Sequence, residues 1–200
     1  MKYSDKNLLE LEWNAFLSGN KESFAYFYNL HIDALFQYGI KIMADEDSVK
    51  DAIQEVFLDL YLKRNSNSAD PYRLKFYLLL ALKRNLIKRL KKERRFTETT
   101  NEIDFVPEYS IETRIIDKEQ EEEINRRINK LLSQLPAKQK EAIYLRFNQA
   151  LEYTEVAQVL NISVESARKQ IYRAIKSVKE LLKSENINFF LLFTPNSSTT

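Results

Sequence analysis

The sequence predicts an all-α fold: two small helical domains joined by an acidic linker, the C-terminal one a four-helix domain carrying a helix-turn-helix. Three observations predict it. The 200 residues include only two glycines and four prolines, which leaves few hairpin turns and long uninterrupted segments. Within those segments the apolar residues recur at helical spacing. Charge, finally, is blocked along the chain: residues 1–62 carry a net −6, residues 63–96 a net +10, residues 97–125 a net −8 and residues 126–184 a net +7, although the whole chain sums to only +2.

Composition also excludes. With 44% hydrophobic and 30% charged residues the chain is an ordinary globular one, able to bury a core. It has no cysteine, hence no disulfide framework and no thiolate metal site, which fits a reducing compartment. One histidine and two glycines leave no multi-histidine metal cluster, phosphate-cradling loop or nucleophile triad, so neither an enzyme nor a cofactor is expected. The N-terminus has acidic residues where a signal peptide needs an apolar run, and no stretch approaches the roughly 18 apolar residues of a membrane span. The expectation is a cytoplasmic protein without membrane insertion.

In chain order, residues 7–43 place Leu8, Leu11, Phe16, Phe24, Phe27, Leu30, Leu35, Tyr38 and Ile42 at helical spacing, broken at Ser18-Gly19-Asn20. That reads as two helices and a corner, with His31 a packed or surface side chain. A helix from about Asp47 to Lys63 follows, its inner face Val49, Ile53, Val56, Phe57 and Leu60. Asp47, Asp51, Glu55 and Asp59 recur on its other face. Like charges four residues apart repel, so this stripe is either simply solvated or made for a basic partner.

After the polar stretch NSNSADP, a helix from Tyr72 to about Arg95 carries Phe76, Leu79, Leu80, Leu82, Leu86 and Leu90, with Arg73, Lys75, Lys83, Arg84, Lys88, Arg89, Lys91 and Lys92 around them. Tyr72, Phe76 and Tyr77 cluster at its start. Cations beside exposed rings suit single-stranded nucleic acid, because the cations meet phosphates while the rings stack on bases. Phe76 reads as core. Residues 97–123 lack sustained periodicity and form the acidic linker, which separates domain 1–96 from domain 124–184.

The second domain starts with Ile124, Ile128, Leu131, Leu132 and Leu135, stops at Pro136 and resumes with Ala142, Ile143, Leu145 and Phe147. Residues 155–171, EVAQVLNISVESARKQI, then read as two helices meeting at a sharp corner. Val156, Ala157 and Leu160 face inward before the turn; Ser163 is a good N-cap after it; and Val164, Ala167, Ile171, Ile175, Val178 and Leu182 form the next inward stripe. Asn161 occupies the turn, and among non-glycine residues Asn best tolerates a left-handed backbone. The outer face, Glu165, Arg168, Lys169, Tyr172, Arg173, Lys176 and Lys179, concentrates the cations that DNA phosphates and base edges require.

Taken together, residues 20–184 resemble a bacterial RNA polymerase sigma factor of the extracytoplasmic function (ECF) class. DSVKDAIQEVFLDLY, residues 47–61, is similar to that family's core-polymerase-binding helix, with Asp51, Gln54, Glu55 and Phe57 at its motif positions. LALKRNLIKRLKKERR, residues 80–95, resembles the helix that helps hold the melted minus ten promoter element, and residues 131–182 resemble the promoter-reading domain. The resemblance implies core RNA polymerase and promoter DNA as partners, the downstream element single-stranded and the upstream one double-stranded. It implies minus ten contacts from Tyr72, Tyr77, Arg84, Asn85, Lys88 and Arg89. For the minus thirty-five element it implies Ser163, Glu165, Ser166, Arg168, Lys169, Tyr172, Arg173 and Lys176. Departures from the family pattern are Glu152 where a Ser cap is common, Asn161 for Gly, Lys83 for Ala and Arg89 for Asp. The apolar INFFLLF of residues 187–193, in a tail from 185 to 200, reads as packing back onto a domain, with an anti-sigma factor as the alternative occupant. The competing function is a conventional helix-turn-helix regulator that is not a polymerase subunit.

Overall fold

The computed structural model describes residues 3–64, 70–94, 105, 129–130 and 132–184. The chain divides into two compact units, Met1–Thr100 and Asn101–Thr200.

Among its described residues the first unit has four α-helices: α1 (Tyr3–Leu17), α2 (Lys21–Gly39), α3 (Glu46–Leu62) and α4 (Leu74–Arg94). The α1–α2 corner forms where expected. Gly19 takes φ +91°, a conformation most side chains resist, and Asn20 caps α2 by accepting from the Ser23 amide at 2.8 Å. Helix α3 starts in the same way, with Asp45 accepting from the Ser48 amide at 3.2 Å. Hydrogen bonding from the Ser48 side chain first, and from its amide second, holds the Asp45 carboxyl below its ordinary range. Ahead of α4, Asp70 caps a single 3-10 turn, Pro71–Arg73, that feeds the helix.

Helix α2 lies at the centre and packs against α1, α3 and α4. Its Phe27, Leu35 and Tyr38 meet Trp13 and Phe16 of α1, Val49, Ile53 and Phe57 of α3, and the Leu74, Phe76, Leu79, Leu82 and Leu86 stripe of α4, all buried. Aromatic edges link these layers, as in Trp13 against Phe27 at 5.4 Å and Phe24 against Tyr61 at 5.2 Å. At Gly39 the helices approach closely, since a Cβ there would lie 2.5 Å from Val49 Cγ1. Leu8, Leu11 and Leu30, which share the helical spacing of the core residues, are exposed. Helix α1 is covered on one side only, and Trp13 with Phe16, one turn apart, supplies that contact.

In the second unit, α5 (Ala137–Ile143) continues as a π turn, Tyr144–Asn148, before α6 (Tyr153–Leu160) and α7 (Val164–Ser184). Of the first expected helix, 129–130 and 132–133 are helical; its earlier residues lie outside the described ones. Helix α7 packs on α5 and α6 through Ala167, Ile171, Ala174 and Val178, which meet Ala142, Ile143, Val156, Ala157 and Val159 in one core. Val159 is more deeply buried than Leu160, a shift of one position from the expected inward face.

Asn161 sits at φ 52°, ψ 51°, in the left-handed region, and the Ile162 amide reaches back to the Ala157 carbonyl at 3.0 Å, closing the end of α6. At its start, the Glu155 carboxylate accepts from the Glu152 amide at 3.0 Å, a bond that does not use the Glu152 side chain. Ala150 is a second left-handed residue, φ 56°, that nothing in the sequence pattern announces. Within the expected linker, Phe105 is buried and lies 5.6 Å from the Tyr144 ring. Burial, opposed by the hydrogen bond that Gln149 donates, pushes the Tyr144 hydroxyl up to about 12. The rest of the linker and the 187–193 segment lie outside the described residues.

Candidate nucleic-acid interface

Asp51, Gln54 and Glu55 lie on the exposed face of α3. Phe57 does not. It is 2% exposed and packed against Phe24 and Tyr28, in the core of the first unit. The repulsion along the acidic stripe is relieved from within: Lys50 pairs with Glu46 and Asp47, and Lys63 pairs with Asp59 at 2.6 Å. Leu58 (57% exposed) and Leu62 (67%) add an outward apolar ridge that sequence reasoning missed. Their i, i+4 spacing outside the inner stripe was the available signal.

On α4, Tyr77, Arg84, Lys88 and Lys91 are all exposed and recur at i, i+7, i+11 and i+14, so they share one face. Beside them runs a shallow groove lined by Glu55, Arg84, Asn85, Lys88, Arg89 and Lys92. A second hollow, lined by Arg84, Ile87, Lys88, Lys91 and Lys92, adjoins it. The structure thus brings four of the six expected minus ten residues together in one cationic groove. Tyr72 and Tyr77 stand nearer the start of the helix. Tyr72 donates its hydroxyl to Glu10 at 2.8 Å, which raises the phenol above its ordinary range, and Lys6 lies 5.9 Å from its ring. The Arg73 guanidinium lies 5.6 Å from the Tyr77 ring, and Phe76 is buried as expected.

One arrangement here had no sequence signal. The Asn85 amide donates to Glu55 Oε2 at 2.6 Å and accepts from Arg89 Nε at 2.8 Å, while Arg89 Nη2 meets Glu55 Oε1 at 2.6 Å. Residues expected to face different partners therefore close on one another.

Helix α7 presents Glu165, Arg168, Lys169, Tyr172, Arg173 and Lys176 to solvent, with Tyr172 69% exposed. Ser163 and Ser166 do a different job from the rest: Ser163 Oγ accepts from the Ser166 amide at 3.1 Å and donates to its hydroxyl at 2.9 Å, capping the helix. Lys169 pairs with Glu165 at 2.7 Å. The Tyr153 ring lies 4.9 Å from the Arg146 guanidinium and 5.5 Å from that of Arg168. Arg146 is itself tied to the Leu151 carbonyl at 2.8 Å, so the ring has a fixed neighbour. Among the described residues no group of three or more His, Asp or Glu is placed to hold a metal ion, and no helix is long and apolar enough to cross a membrane.

A helical chain whose second unit ends in a left-handed corner and a cation-faced helix is a helix-turn-helix protein. Residues 125–178 match the family "Sigma-70, region 4". The ECF RNA polymerase sigma factor SigM of Bacillus subtilis (strain 168) is 22% identical over 154 residues, covering 77% of this chain and 91% of that one. Among solved structures, the sigma factor RpoE in complex with the anti-sigma factor NepR from Bartonella quintana superposes with a TM-score of 0.57 at 21% identity, covering 81% of this chain and 98% of that one. CnrH in complex with the cytosolic domain of CnrY gives 0.55 at 20% identity, covering 88% and 97%. These two likenesses bear on the fold. By the region 4 match and the curated relative, the chain is similar to sigma factors of the ECF class.

Proposed function

We propose that this sigma factor docks on core RNA polymerase through the exposed face of α3, captures the single-stranded minus ten element along α4 and reads the minus thirty-five element with α7. The working domains in this reading are residues 1–96 and 124–184, with 97–123 as the linker. The observation that carries it is the segregation of charge onto three exposed helix faces, one acidic and two cationic, in the order a sigma factor uses them. Asp51, Gln54 and Glu55, with Leu58 and Leu62 beside them, offer a mixed acidic and apolar surface suited to a basic protein partner. On α4 the exposed Tyr77 and the cations behind it supply stacking and phosphate contacts, and Asn85 has the donor and acceptor of a base-edge reader. On α7, Arg168, Lys169, Arg173 and Lys176 suit phosphates and base edges.

A regulator of the anti-sigma kind is the further partner in this reading, because RpoE, a relative in fold, is described with one. A conventional helix-turn-helix regulator would share the α7 surface but have no use for the α3 face. Asp51→Lys decides between the two. In a pull-down with bacterial core RNA polymerase the variant is expected to lose most of its binding, and undiminished capture would remove α3 from the interface.

A further inference from the structure

The Glu55–Asn85–Arg89 ring sits in the middle of the groove through which a strand would pass. Its three bonds are short, each at 2.8 Å or less, and they use one Asn85 donor, one Asn85 acceptor and two Arg89 nitrogens. Of the six side chains lining that groove, Glu55 alone is a carboxylate and four are cations. A carboxylate offers a guanidinium the same paired anionic oxygens that a phosphate does. It also comes from a different helix, on a side chain 59% exposed, so it can leave without disturbing the core.

We propose that Glu55 is an internal stand-in for a nucleic-acid phosphate: it occupies Asn85 and Arg89 in the free chain, and a strand entering the α4 groove must displace it. The inference rests on α4 being the strand-binding helix. It adds that strand binding is weakened by a built-in competitor, and that Glu55 sets how good a strand must be to enter. The device depends on Arg89, which stands where the resemblance leads one to expect Asp; an Asp at that position would repel Glu55 rather than hold it. Since Glu55 also belongs to the acidic face of α3, a cationic partner on that face and a strand in the groove would draw on one side chain.

The test is a double-mutant cycle on the full chain, read by fluorescence anisotropy with a labelled oligothymidylate of about 15 nucleotides at one fixed low salt concentration. Glu55→Ala should tighten binding about three- to tenfold, and most of that gain should disappear in an Arg89→Gln background. Removing a negative charge alone would give the same gain in both backgrounds, and that result overturns the proposal. Unchanged or weaker binding by Glu55→Ala also overturns it, since Glu55 would then be positioning Asn85 rather than obstructing it. If no variant binds the oligonucleotide, the strand-binding reading of α4 fails first and the competitor with it. Thermal melts of each variant establish that the comparisons are made between folded chains.

Discussion

His31 shows what a single position does once it is packed. Burial first, and the nearby Lys75 charge second, push its imidazole from the ordinary 6.5 down to about 4. Between those values the unfolded chain binds a proton that the folded chain refuses, so the stability His31 confers is complete above about pH 6.5 and is lost as pH falls toward 4. The loss between about pH 7.5 and about pH 5 should be about 2 kcal/mol. Comparing chemical melts of the wild type with His31→Gln at the two pH values checks it: the variant's stability should fall less by that amount, and an equal fall in both would assign the acid sensitivity elsewhere. From sequence His31 could be placed on a helix but not beneath Lys75, since the pair is 44 residues apart. Asn161 was legible because Asn is a residue type that tolerates the left-handed region, whereas Ala150, in that region too, carries no such signature. Phe57 shows what a motif position leaves out: the motif names the residue, and only the packing shows that it is buried.

At the scale of helices, periodicity located the elements well. Helix α3 was expected at about 47–63 and runs from Glu46 to Leu62; α4 was expected from Tyr72 and begins at Leu74 after one 3-10 turn. The caps Asn20 and Ser163 explain why, because a side chain that satisfies an open amide marks a helix start in the sequence itself. Orientation was less legible where a helix is covered on one side only, as in α1, whose Leu8 and Leu11 face out. Contacts between helices were the least legible of all. The ring brings Glu55 to Asn85 and Arg89, 30 and 34 residues further on, and local spacing cannot see that distance. For α7 the expected consequence of its geometry concerns Arg168, whose guanidinium lies 5.5 Å from the Tyr153 ring of α6. If Arg168 reads a base edge, Arg168→Ala should weaken binding to the cognate upstream duplex by about 1–3 kcal/mol and leave binding to a scrambled duplex nearly unchanged. Anisotropy at fixed salt separates this from an equal loss on both duplexes, which would make Arg168 a phosphate contact.

For the whole molecule, near-neutral net charge conceals the arrangement that matters. A chain of +2 would be a poor candidate for a polyanion partner, yet its basic charge is gathered on α4 and α7 and its acidic charge on α3 and along residues 97–125. Each unit has its own core, so substitutions on the exposed faces should alter partner binding with little effect on folding. Gly39 belongs to the packing and not to those faces, since any side chain there meets Val49. The central claim is that the chain gives a polymerase its choice of promoter. Multi-round transcription with bacterial core RNA polymerase on a genomic promoter library tests it most directly. Adding the chain should yield transcripts from a limited set of templates sharing two upstream sequence elements, starting at a fixed distance from them. A transcript profile identical to that of core polymerase alone, with the chain folded and present in excess, would contradict it.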